Sequence, residues 1–219
     1  MKHQVAFIHT SPAAIPPMAD YYRDFASDLE ITNLLDDGVL RFFARQNESA
    51  AESRLAEMLC VARDAYNSEL AVVTCSAVTR QVIRRLAEAT GLPIVKIDDE
   101  LARQAVSVGT RLGVVVTFRP TQAVIGKLLR EMAEEIGRSV EVTFRVIPEA
   151  YEALLGGMPE KHDALLLAGI QELASEPIDA LVLAQVSMAR VLPKMPPLPV
   201  PVLSSLPASL NTIRQRLSI

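Results

Sequence analysis

The scarcest reactive side chains in this sequence are two cysteines and three histidines, and the two cysteines sit in different surroundings. Cys75 lies in Val72-Val73-Thr74-Cys75-Ser76-Ala77-Val78-Thr79, where a β-branched run gives way to small polar residues and then to a helical pattern. That places it at the end of a buried strand and the start of a helix. Backbone N–H groups at such a helix start, with the Ser76 and Thr79 hydroxyls, form an anion site and favour the thiolate over the thiol. A thiolate there can take a proton from a carbon next to a carboxylate while the same N–H groups stabilise the enolate. The position suits a small packing cysteine equally well. Cys60 lies among Leu55, Met58 and Leu59 in a helical stretch, the setting of an inert buried thiol.

The other candidates are weaker. His9 ends a strand pattern; an ordinary imidazole pKa of about 6.5 lets it orient a substrate or relay a proton, and a satisfied structural histidine fits the same place. Arg119 can grip a carboxylate bidentately or stand solvated in its loop. Asp98-Asp99-Glu100 reads as an acidic first helical turn, since three adjacent acids cannot converge on one metal. The His and Cys residues lack zinc-site spacing. Phosphate-loop and nucleophile-elbow motifs are absent, and Gly156-Gly157 reads as a helix end.

Strands that position these residues are predicted at 5–9, 70–74, 93–97, 112–117, 140–147, 180–184 and 200–204, with a weaker one at 31–34. Helical spacing runs through 49–66, 78–89, 121–136 and 161–174. This alternation signals βαβ units around a mostly parallel sheet. It also repeats. Pro12 lies over Pro120 at an offset of 108 (120 − 12), Pro93 over Pro201 at 108 (201 − 93), and Cys75 over Gln185 at 110 (185 − 75). The predicted fold is therefore α/β: two pseudo-symmetric lobes, 1–105 and 106–219, each a mostly parallel sheet flanked by helices. The last helix of the first half is expected to pack with the second lobe. The active site is expected in the interlobe cleft, at the carboxyl ends of the strands.

Composition narrows the function. The 219 residues are 50% hydrophobic and 22% charged, an ordinary globular balance. A net charge of −4, with basic residues scattered among acidic ones, argues against nucleic acid. No apolar run reaches the roughly 18 residues of a membrane span, and the first residues do not read as a signal peptide, so a cytoplasmic protein is expected. Pro193-Lys194-Met195-Pro196-Pro197-Leu198-Pro199 is expected to run extended over the surface.

Taken together, the duplicated halves, Ile8-His9-Thr10 with Pro12, Thr74-Cys75-Ser76, and Leu183-Ala184-Gln185-Val186-Ser187-Met188-Ala189 resemble the aspartate/glutamate/hydantoin racemase superfamily over nearly the whole chain. The resemblance implies a small carboxylate substrate, no metal or organic cofactor, a homo-oligomer, and one catalytic cysteine per lobe on opposite faces of the substrate's α-carbon. Cys75 matches the first. Gln185 stands at the second, and an amide has no proton to exchange near neutral pH. Ser11, Ser76, Thr117 and Thr121 match positions where the family offers hydroxyls and N–H groups to substrate carboxylates, and Val186 and Ser187 match those after the second cysteine. Helix capping by these hydroxyls is the plainer alternative. The function expected is proton transfer next to a carboxylate by a cofactor-independent racemase or isomerase. A decarboxylase of the same superfamily and a silent carboxylate binder are the alternatives.

Overall fold

Each half of the chain builds one four-stranded parallel sheet, and both sheets repeat the same strand order. The structure, a computed structural model, describes residues 2–219. The first sheet, in the order β2-β1-β3-β4, comprises β1 (His3–His9), β2 (Leu29–Leu35), β3 (Leu70–Val73) and β4 (Ile94–Lys96). Its helices are α1 (Ile15–Phe25), α2 (Gly38–Ala44), α3 (Glu48–Tyr66) and α4 (Arg80–Thr90). After α5 (Asp99–Val108) come β5 (Arg111–Val116), α6 (Arg119–Glu135), β6 (Glu141–Val146), α7 (Pro148–Leu155), α8 (Pro159–Ala174), β7 (Ala180–Leu183), β8 (Val202–Ser204) and α9 (Ser205–Leu217). The second sheet has the order β6-β5-β7-β8.

The chain divides into two compact units, and one helix crosses over from each half. The first unit runs to Ile97 and takes back Leu206–Ile219; the second is Asp98–Ser205. Helix α5 joins the second unit because Leu101, Ala102, Ala105 and Val106 are buried in one cluster with Leu112, Val114 and Val116 of β5 and Val182 of β7. Helix α9 returns to the first unit: Ser209 hydrogen-bonds the Tyr22 hydroxyl at 2.9 Å, and Arg214 donates to both carboxylate oxygens of Asp28.

Strand periodicity explains the two-faced core of the second unit. Side chains alternate across a sheet, so Leu112, Val114 and Val116 meet α5 and α6, whereas Val115, Leu181 and Leu183 pack with Leu166, Ile170 and Leu173 of α8. Packing is tight at Gly113 on that second face: a Cβ there would lie 2.6 Å from Ile178 Cδ1 and 3.0 Å from Leu173 Cγ.

All eight predicted strands are present, β2 among them. Helices α1 and α9 escaped the periodicity argument because prolines interrupt their patterns. Pro16 and Pro17 occupy the first turn of α1, and Pro207 that of α9, where a missing N–H costs nothing. The expectation that residues 193–199 are extended needs correction at its start: a 3₁₀ helix covers Val186–Lys194 and includes Pro193, and irregular chain follows.

The ladders also correct the repeat alignment. Ile8 pairs with Val73 and Val115 with Leu183, so Ile8 corresponds to Val115, not to Val116 as an offset of 108 requires. Thr74 N–H donates to the Ile8 carbonyl and Ala184 N–H to the Val115 carbonyl, so Cys75 and Gln185 are equivalent, as the sequence indicated. Thr10 is then the counterpart of Thr117.

Candidate active-site residues

In the first unit the strand ends carry His9, Ser11, Cys75 and Ser76. Cys75 follows β3, is 6% exposed, and forms no disulfide; its carbonyl accepts from Val78 N–H in the turn that leads toward α4. Ser76 beside it is also buried. Thr79 caps α4, its hydroxyl accepting from Val82 N–H at 3.3 Å, and Ser11 caps the short 3₁₀ turn Pro12–Ala14 by accepting from Ala13 N–H at 3.3 Å. Both hydroxyls thus satisfy helix starts.

His9 is fully buried, and the protein uses both of its ring nitrogens. Nδ1 lies 3.0 Å from Thr74 Oγ1 and Nε2 lies 2.8 Å from Asn33 Oδ1. Burial pushes the imidazole pKa down, partly offset by the Asn33 hydrogen bond, so the ring stays neutral. A neutral ring carries one N–H, and because Asn33 Oδ1 can only accept, Nε2 donates to it and Nδ1 accepts from the Thr74 hydroxyl. Thr74 Oγ1 also lies 3.1 Å from the Ile8 carbonyl. The network ties β1, β2 and the residue before Cys75 into one fixed strand end. The sequence reading missed Asn33 and Thr74; Asn33, a polar residue inside the weak strand candidate, was their one legible signal.

In the second unit the equivalent strand ends bring together Thr117, Gln185, Val186 and Ser187. Gln185 Oε1 accepts from Thr117 N–H at 2.6 Å and from the Thr117 hydroxyl at 3.1 Å. Thr121, in the first turn of α6, is buried, as are Val186 and Ser187. Arg119 opens α6 with its side chain exposed.

The second unit also holds an ionic cluster, centred on the buried Asp163, that sequence reasoning missed. Asp163 of α8 accepts hydrogen bonds from His162 Nδ1 at 2.8 Å, Arg190 Nε at 2.6 Å and Lys194 Nζ at 2.5 Å. Burial alone would raise its pKa, but the Arg190, Lys194 and His162 hydrogen bonds prevail and hold it at about 2. Burial lowers the His162 pKa. Because Arg190 and Lys194 belong to the 3₁₀ helix that starts at Val186, Asp163 clamps to α8 the segment leading away from Gln185. Nothing in the sequence marked residues 27 and 31 positions apart as partners.

Among the described residues no group of His, Cys, Asp and Glu is arranged to hold a metal ion, and no helix is long and apolar enough to cross a membrane.

Two sheets of one strand order, with buried threonines, Thr10 and Thr117, at equivalent strand ends, define a duplicated α/β protein. The family model for Asp/Glu/hydantoin racemases matches residues 2–213, and the chain belongs to that family. No curated protein matches it in sequence. Among solved structures it is similar to glutamate racemase RacE1 from Bacillus anthracis, at 19% identity, TM-score 0.74, covering 98% of this chain and 82% of that one. It is likewise similar to an aspartate racemase from Picrophilus torridus, at 12% identity, TM-score 0.74, covering 99% and 94%. An allantoin racemase from Klebsiella pneumoniae matches at 18% identity, TM-score 0.71, covering 99% and 88%.

Proposed function

We propose that this chain is a cofactor-independent isomerase that moves a proton at the carbon next to a carboxylate of a small acid, with Cys75 as its acid/base group. The observation that carries this reading is the placement of Cys75: a buried thiol at the carboxyl end of a central parallel strand, its preceding residue held by His9. Family membership and the racemases among its structural relatives support the reaction class. In this reading Ser76, Thr121, Ser187 and the N–H groups of Val186 and Ser187 serve substrate oxygens. His9 acts through Thr74 and does not touch substrate.

Gln185 at the position equivalent to Cys75 favours one-base chemistry over a two-base racemisation, because an amide neither gives nor takes a proton near neutral pH. Cys75 thiolate would remove the α-proton, leaving a planar enolate, and the Cys75 thiol would return the proton to the opposite face of that carbon once the enolate has turned, which inverts the carbon and regenerates the thiolate.

The test is incorporation of solvent deuterium into a panel of amino acids, hydroxy acids and substituted malonates, comparing wild type with Cys75→Ala. Exchange in the wild type that falls at least a hundredfold in the variant is the expected result, the usual size of a general acid–base contribution. Loss of carbon dioxide from a malonate would move the reading to decarboxylation. A wild type that exchanges nothing would leave a silent carboxylate binder.

A further inference from the structure

The side-chain amide of Gln185 has a fixed orientation. Thr117 N–H can only donate, so the Gln185 atom 2.6 Å from it is the carbonyl oxygen, and the Thr117 hydroxyl 3.1 Å away engages that oxygen a second time. Both acceptor sites of the oxygen are then occupied. The NH2 group necessarily points away from Thr117, and its two N–H donors make no hydrogen bond among the described residues. Gln185 is only half-buried, so the residue is partly open to solvent.

The surroundings hold the side chain in this pose. Ala184 N–H donates to the Val115 carbonyl, which fixes the chain immediately before it, and Met188 N–H donates to the Gln185 carbonyl, which fixes the turn after it. Hydrogen bonds to the amide oxygen polarise the group and strengthen its N–H donors. A side chain tied in this way can bind an acceptor but cannot swing round to become one.

We infer that Gln185 is a ligand-binding residue whose NH2 group donates to a carboxylate oxygen of the small acid. This rests on the reading of the chain as an enzyme of small carboxylates, and it goes further in assigning the second strand end to anchoring the ligand. Proton exchange is left to Cys75. The ligand needs an anionic oxygen in particular, since a hydrogen bond to a charged acceptor is about twice as strong as one to a neutral one.

The experiment is calorimetric titration of the full-length chain with malonate, succinate, L-aspartate, D-aspartate and L-glutamate, repeated on Gln185→Glu and Gln185→Leu. Glu keeps the two hydrogen bonds from Thr117 and replaces the outward donors with a second carboxylate oxygen; Leu removes the polar group altogether. The acid that binds wild type best is expected to bind Gln185→Glu at least tenfold more weakly, about 1.4 kcal/mol. Gln185→Leu is expected to show a smaller loss. Thermal unfolding checks that each variant is folded, and either folded variant suffices for the comparison. Binding unchanged in the folded variants overturns the inference, and so does a wild type that binds none of the five acids. Deuterium exchange on the same samples separates this inference from the proposed function. Exchange indifferent to Cys75→Ala, with binding lost in Gln185→Glu, would sink the role of Cys75 and leave the donor standing; the converse pattern would sink the donor alone.

Discussion

Replacing Asp163 by Asn should destabilise the protein by about 2–3 kcal/mol at pH 7, and two independent routes lead to that figure. Asp163 is 4% exposed and its carboxyl is held at about 2, against an ordinary Asp value near 3.9, and a shift of that size corresponds to about 2–3 kcal/mol of stability. From the structural side, removing one partner of a buried ion pair costs about 3–5 kcal/mol. The Arg190 and Lys194 side chains are 28% and 51% exposed and can turn toward water, which brings the cost to the lower end. In a chain of this length each kcal/mol moves the melting temperature by about 2–4 °C, so Asp163→Asn should melt roughly 4–12 °C below wild type. The pH dependence has a definite sign. The folded pKa is depressed, so the contribution is complete above the unfolded value near 4 and disappears as pH falls toward 2. Calorimetric melting of both proteins across that range is the assay. A gap of under 1 °C at pH 7, or one that widens between pH 4 and pH 2, would refute the reasoning.

Two further substitutions probe the strand ends and the core behind them. Gly113→Ala should lower the unfolding free energy by about 1–3 kcal/mol in chemical denaturation, because its Cβ would meet Ile178 Cδ1 at 2.6 Å and Leu173 Cγ at 3.0 Å; an unchanged midpoint would mean that the Ile178 and Leu173 side chains give way freely. Thr74→Val keeps the shape of the side chain but strips a hydrogen-bond partner from the buried His9 ring, at a cost of about 1–3 kcal/mol. Because burial keeps His9 neutral, that loss should be the same at pH 7 and pH 8, as melting at the two values would show.

Strand runs such as Leu70–Val73 and Ala180–Leu183 were legible in the sequence because a parallel strand covered on both faces must be apolar along its whole length. The repeat, and with it the equivalence of Cys75 and Gln185, followed from residue type and spacing. What spacing could not supply was register. A slip of one residue at the first strand is invisible in a run of β-branched residues, and only the hydrogen bonds from Thr74 N–H and Ala184 N–H to their carbonyls set Ile8 against Val115. Long-range polar partnerships were equally hidden, since His9 with Asn33 and Thr74, and Asp163 with Arg190 and Lys194, join residues whose separation carries no local signal. Residue type alone told that Gln185 cannot exchange a proton. The direction in which its amide points was decided by the folded backbone, because it depends on where the Thr117 N–H comes to lie.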